Sequence, residues 1–179
     1  DDDSIIKSYI LIITCMTTRN IHLESMYSLS TAEFLLSIRR FVCTYGCPSS
    51  ITTDNGLTFK LASKVIRKQA TIDKSLERAP GDIRIKWHFN VPASPWQGGH
   101  FERLVAIAKK ALKNAIQKNR MTKSVFDTLI REVCVVINSR PLVYIDEGDL
   151  GGYTVRPIDI LLPEFRSMNL QTESDVSEV

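Results

Sequence analysis

No stretch of this 179-residue chain is apolar for long enough to cross a bilayer. The longest run, Tyr9 to Met16 with Thr14 inside it, is far below the roughly 20 residues a spanning helix needs. Nor does a basic segment precede it. The chain opens Asp1-Asp2-Asp3, so a signal peptide is not supported and a soluble intracellular location is the default expectation. Cysteine is too sparse for a disulfide scaffold, with four in a length that can bury its own core. Cys15 and Cys134 lie in apolar runs and read as buried thiols. Cys43 and Cys47 form a C-x₃-C pair, but no second Cys/His pair follows at zinc-ligand spacing and His22, His88 and His100 are scattered, which leaves two free thiols. Internal repeats are lacking too. What is present, 44% hydrophobic residues and a formal charge of only +3, argues against extensive disorder and for one domain with a short tail.

The small net charge conceals a partition. From Phe101 to Lys123 there are seven basic residues and a single acid, Glu102, whereas Asp146 to Val179 holds eight acids and two arginines. A basic helix is a possible footprint for phosphate backbones, although a solvated lysine face is the commoner outcome of such a pattern.

Ser8–Met16 is a continuous run rich in β-branched and aromatic residues and reads as a mostly buried strand. Asn20–Met26 alternates apolar Ile21 and Leu23 with polar His22 and Glu24, as a half-exposed antiparallel partner would. Ser30-Thr31-Ala32-Glu33 is a capping box, opening a helix whose stripe Phe34, Leu35, Ile38, Phe41, Val42 runs until Gly46 and Pro48. A short strand, Ser50–Thr53, leads into Asp54-Asn55-Gly56. Helical spacing resumes from Thr58 to about Ser75, a loop follows at Glu77–Gly81, and Asp82–Phe89 alternates as a strand. Asn90–Gly99, with two prolines and two glycines, reads as irregular. Helices follow at about Phe101–Asn119 and Lys123–Ser139, the second capped by Thr122. The resulting order is mixed α/β, helices flanking one sheet. The expected divisions are a core at 1–145, an acidic post-core segment at 146–165 with one apolar piece, Pro157–Leu162, and a disordered tail at 166–179.

Two carboxylates stand where sites are usually built. Asp54 follows a strand at the end where open α/β sheets place ligands, although Asp-Asn-Gly is also a favourable turn sequence needing no chemistry. Glu102 opens the basic helix. At 100° per residue Lys109 and Lys113 fall within about 20° of it, while Leu104, Ala108, Ala111, Leu112 and Ala115 occupy the far side. That face is either a carboxylate favouring the helix dipole beside solvated lysines, or a metal-binding carboxylate with phosphate-binding lysines beyond it.

Five blocks tip the balance. Cys15-Met16-Thr17-Thr18-Arg19-Asn20-Ile21-His22-Leu23-Glu24, Leu29-Ser30-Thr31-Ala32-Glu33-Phe34-Leu35, Thr53-Asp54-Asn55-Gly56-Leu57-Thr58-Phe59, Ser94-Pro95-Trp96-Gln97-Gly98-Gly99-His100-Phe101-Glu102-Arg103 and Asn138-Ser139-Arg140-Pro141-Leu142 stand in order along nearly the whole chain. Together they resemble the catalytic core of retrovirus-like integrases, most closely those of Pao/BEL-type long-terminal-repeat retrotransposons. Arg156-Pro157-Ile158-Asp159-Ile160-Leu161-Leu162 resembles the segment these elements carry after the core.

The resemblance implies a ribonuclease-H-like fold in which three acids hold two divalent ions, Mg²⁺ or Mn²⁺, for strand transfer of element DNA into a target. Hard, charged oxygen ligands suit a pair of cations about 4 Å apart that activate the attacking oxygen and stabilise the leaving one. Asp54 matches the second acid and Glu102 the third, with 47 residues between them, an interval longer than in most retroviral relatives. Lys109, with Lys113 on the same face, matches the DNA-contacting helix, and Ala106 stands where relatives often carry another lysine. Gln97 and Gly99 fall in the loop that meets DNA. The implied partners are element and target DNA and further copies of the chain, with no membrane, and the implied location is the nucleus, the cytoplasm or a virus-like particle.

The first acid should lie on a strand before Ser8, and Asp1–Lys7 is too short to supply it. The expectation is that this acid lies upstream of residue 1, that Asp1, Asp2 and Asp3 are turn residues, and that the strands at Tyr9 and Ile51 lack the partner that separates them. On that reading the chain does not integrate DNA unaided. Two alternatives stand beside it: a catalytically inactive nucleic-acid-binding remnant, and another nuclease of the same fold, such as a ribonuclease H.

Overall fold

The computed structural model describes residues 6–75, 85–90, 99–117, 120–146 and 152–163. Its elements run β1 (Tyr9–Thr14), β2 (Ile21–Met26), α1 (Thr31–Tyr45), β3 (Ser50–Thr53), α2 (Leu57–Ser75), β4 (Lys86–Phe89), α3 (Gly99–Ile116), α4 (Lys123–Asn138), β5 (Val143–Ile145), β6 (Tyr153–Val155) and α5 (Pro157–Leu161). Through α4 the mixed α/β order expected from periodicity is the observed one; β5 and β6 lie outside that expectation, and the described strands form three two-stranded sheets rather than one sheet. The loop at 77–81, most of the irregular 90–99 stretch and the tail from 166 lie outside the described residues.

β1 and β2 pair antiparallel with Ile12 opposite Leu23 and Ile13 opposite His22. Side chains alternate across a strand, so each face of this pair serves a different helical layer. On one side Ile10, Ile12, Ile21 and Leu23 pack with Leu104, Ala108 and Leu112 of α3 and with Ile130, Val133 and Ile137 of α4. On the other, Tyr9, Leu11, Ile13 and Met26 pack with Phe34 and Ile38 of α1, Ala62 of α2, and Ile51, Trp87 and Phe89 of the second strand pair. That second pair, β3 with β4, is parallel, Ile51 opposite Trp87 and Thr53 opposite Phe89.

Among the described residues β1 bonds only to β2, and β3 only to β4. The burial along these strands corrects one expectation. β1, the most apolar strand, is half-buried along its whole length rather than mostly buried, and among the described residues one of its edges has no strand neighbour. β2 departs in the opposite direction. Its polar positions do not face water: His22 and Glu24 are 3% and 5% exposed, closed in by α1 and α4. Cys15 is exposed rather than buried, since it follows the end of β1 and starts the turn to β2, and Cys134 is only partly buried. The Trp87 indole N–H, also in the core, has no hydrogen-bond partner among the described residues.

The helix ends follow their caps. Ser30 Oγ accepts from the Glu33 N–H, and Thr122 Oγ1 from the Val125 N–H, each satisfying a donor that the first turn leaves unpaired. Gly46 closes α1 at φ +85°, a conformation that favours glycine, its N–H returning to the Val42 carbonyl. Beyond α4, β5 and β6 form a hairpin that spans the expected boundary at 145. α5 packs back on α4.

One side chain joins the end of α4 to the start of β2. Asn138 Oδ1 accepts from the Ile21 N–H at 2.8 Å and its Nδ2 donates to the Ile21 carbonyl at 2.7 Å, so an amide takes the place of a neighbouring strand at that residue. Arg140 continues the clasp, donating through Nη2 to the Arg19 carbonyl and through Nη1 to that of Ile137. Asn138→Ala leaves the Ile21 N–H without this partner, while the Ile21 carbonyl keeps the Cys134 thiol as a donor at 2.9 Å, and an unsatisfied buried group costs about 1–3 kcal/mol. The expected loss of about 1–3 kcal/mol is measured as a lower urea midpoint at unchanged slope, and an unchanged midpoint would show that the bridge does not hold the hairpin to α4.

Candidate functional site

Asp54 stands in the turn where β3 ends and α2 begins. Both strands of the parallel pair end there, and three contacts define the corner. The Thr53 carbonyl accepts from the Asn90 N–H at 2.9 Å, the Asn55 side-chain amide donates to the Asn90 carbonyl, and Asp54 Oδ1 accepts from the Gly56 N–H at 2.8 Å. Gly56 permits the last of these. A Cβ at that position would stand 3.0 Å from Asp54 Oδ1 and 3.1 Å from the Phe59 ring, tighter than an ordinary side-chain contact. The turn role of Asp-Asn-Gly and its position at the carboxyl end of parallel strands therefore coexist. Asp54 is exposed, with one oxygen committed to a backbone amide.

Glu102 lies in the first turn of α3, where its charge favours the helix dipole. The expected two-sided helix is observed. Leu104, Ala108 and Leu112 are buried and Ala111 and Ala115 half-buried, while Glu102, Arg103, Ala106, Lys109, Lys110 and Lys113 are exposed. Glu102, Lys109 and Lys113 thus share one open face, and among the described residues Asp54 and Glu102 have no ion pair. Gly99 is the first residue of α3. Gln97 lies outside the described residues, as do Asp1, Asp2 and Asp3.

Two carboxylates are the hard oxygen donors that a divalent cation takes, but they do not make the implied site. Among the described residues no group of three or more histidine, cysteine, aspartate or glutamate side chains is arranged to hold a metal ion. The residues present therefore do not fit a complete two-ion centre, and no catalytic step is assigned to them.

A second charged cluster was not visible in the sequence. Buried Glu24 accepts from Arg40 Nε at 2.7 Å, from Arg131 Nη2 at 3.2 Å and from His22 Nε2 at 3.1 Å. Glu24, Arg40 and Arg131 line a cleft of about 230 Å³ with Lys123 and Asp127, and neither Asp54 nor Glu102 belongs to it. No periodicity marks this set, because its members come from β2, α1 and α4 and meet only through the tertiary fold. Burial holds the His22 pKa below its usual value, outweighing the opposing pull of the Glu24 carboxylate. A carboxylate can only accept, so the neutral ring donates through Nε2. The Phe41 and Tyr45 rings meet His22 edge-on, with centroids at 5.5 and 5.3 Å.

The consequence for pH has a definite sign. Well above pH 6.5 His22 is neutral folded and unfolded alike, and folding is not opposed. As the pH falls from there toward the lower folded pKa, the unfolded chain takes up the proton first and stability declines. His22→Gln keeps an N–H donor for Glu24 and does not titrate. Its unfolding free energy, followed by denaturant titration between pH 7 and 5, is expected to decline less steeply than that of the parent, by at most about 1.4 kcal/mol per pH unit. Parallel profiles would contradict the assignment.

No protein-family model matches the chain, and no curated protein sequence matches it. Solved structures do. The catalytic core domain of BIV integrase superposes with a TM-score of 0.56 at 18% identity, covering 86% of this chain and 85% of that one. A chain of the simian T-cell lymphotropic virus intasome, in complex with PP2A regulatory subunit B56 gamma, superposes with a TM-score of 0.58 at 17% identity, covering 93% of this chain and 58% of that one. At such identities the likeness speaks for architecture: this chain has the ribonuclease-H-like fold of retroviral integrase catalytic cores.

Proposed function

We propose that this chain is the catalytic-core part of a retrovirus-like integrase of the Pao/BEL retrotransposon type, a nucleic-acid-binding polynucleotidyl transferase. The observation that carries the reading is the pair of exposed carboxylates on an integrase-core fold, Asp54 at the carboxyl end of β3 and Glu102 at the start of α3, with Lys109 and Lys113 continuing the Glu102 face. In this reading Asp54 and Glu102 are two of three ligands for Mg²⁺ or Mn²⁺. The third arrives from outside the described residues, on a strand between β1 and β3. Lys109 and Lys113 contact phosphates of element DNA, Gln97 and Gly99 belong to the loop that meets it, and the working form is an assembly of several copies, as the intasome neighbour suggests by analogy. On this reading the work is done in the nucleus, the cytoplasm or a virus-like particle.

Two measurements test this. DNA binding by the chain should weaken steeply with salt, and Lys109→Ala with Lys113→Ala should lower the slope of log affinity against log salt by about 0.9 for each phosphate no longer neutralised. In a version extended at the amino end with the element's own upstream codons, divalent-cation-dependent strand transfer between oligonucleotides should appear. It should fall below detection in Asp54→Asn and in Glu102→Gln while DNA binding persists. Metal binding untouched by those two substitutions would show that the ligands are elsewhere. Salt-sensitive DNA binding with no activity in the extended version would favour the binding remnant.

A further inference from the structure

The outer side of α2 has a composition that neither the core nor the Asp54 corner explains. The inner side, Phe59, Ala62 and Ile66, belongs to the core with Phe34 and Trp87. Outside that core face, running from the outer side toward one flank, Leu57, Leu61 and Val65 are 78%, 51% and 49% exposed. Their four-residue spacing aligns them as one ridge about 12 Å long. Lys60, Lys64 and Lys68 are exposed too and recur at the same spacing. At about 100° per residue this basic ridge runs directly alongside the apolar one.

Solvation accounts for the lysines but not for a row of three aliphatic side chains, since isolated exposed apolar residues are ordinary and aligned ones are not. A nucleic-acid backbone would likewise engage the charges and leave the aliphatic ridge in water. A ridge of i, i+4, i+8 side chains is instead the feature that seats in the groove of another helix. The parallel row of lysines sets the charge of that helix, because opposed charge at the rim selects the partner and speeds encounter.

We propose that the outer face of α2 is a docking site for an amphipathic helix of a partner protein, one that presents apolar side chains flanked by glutamate or aspartate. The ridge begins three residues after Asp54, so the docking face adjoins the carboxylate corner of β3. The proposal does not depend on the enzymatic reading and holds equally for an inactive chain.

The test uses the whole chain and two labelled synthetic helical peptides with leucines at i, i+4 and i+8, one flanked by glutamates and the other by lysines, followed by fluorescence anisotropy beside a short DNA duplex. The glutamate peptide is expected to bind at least about tenfold more tightly than the lysine peptide, a difference of about 1.4 kcal/mol. Leu61→Ser with Val65→Ser should weaken the glutamate peptide by a similar factor, with the thermal midpoint and the duplex affinity unchanged. Lys60→Glu with Lys64→Glu should reverse the preference between the peptides. Equal binding of the two peptides, or serine variants that bind as the parent does, would overturn the proposal. So would a loss of duplex affinity in the serine variants as large as the loss of peptide, which would make the face a nucleic-acid surface.

Discussion

A carboxylate shut away from water in the middle of β2 sets the arrangement of everything around it. Glu24 cannot remain charged in the core without partners, and an uncompensated buried charge costs several kcal/mol. Its partners arrive from opposite directions, Arg40 from α1 and Arg131 from α4. Both helices are thereby referred to one strand. α4 in turn packs against α3, so the pose of Glu102 and the lysine face descends from a charge pair on another part of the molecule. Asn138 reinforces the same dependence, fastening the last turn of α4 to the first residue of β2.

Local rules account for most of the elements. Ser30 and Thr122 mark helix starts by their own side chains, Gly46 marks a helix end, and the alternation around Ile85, Trp87 and Phe89 belongs to a strand with one buried face. The α3 face is equally local, since the spacing of Leu104, Ala108 and Leu112 already decides which side is open. What local patterns could not report is what covers a strand. His22 and Glu24 have the alternation of a half-exposed partner, yet residues 16 and 107 positions further along neutralise Glu24 and make its burial tolerable. β1 shows the reverse case, an apolar strand left half-covered because burial depends on neighbours as much as on composition. The β5–β6 hairpin has three residues to a strand, too few for a period to register.

The candidate site divides along the same line. Asp54 could be assigned to a corner and Glu102 to a helix start from sequence order alone, because each sits in a short motif that fixes its own backbone. Asn55 added something the sequence did not disclose: its side-chain bond to the Asn90 carbonyl ties the Asp54 turn to the strand that leads toward α3. Whether carboxylates from distant segments converge is a property of sheet order, and among the described residues the two strand pairs that flank the site share a core without sharing a hydrogen-bonded edge.

The distance in sequence between Glu24 and Arg131 also imposes an order in time. A ribosome adding about 5–20 residues per second needs on the order of 5–20 seconds to make the 107 residues that separate them. During that interval the first hairpin and α1 emerge with Arg40 already available and the second arginine not yet made. The same delay applies to Asn138, 117 residues after the backbone it clasps. The amino-terminal half must therefore wait, hydrated and incompletely packed, for the helix that finally closes it.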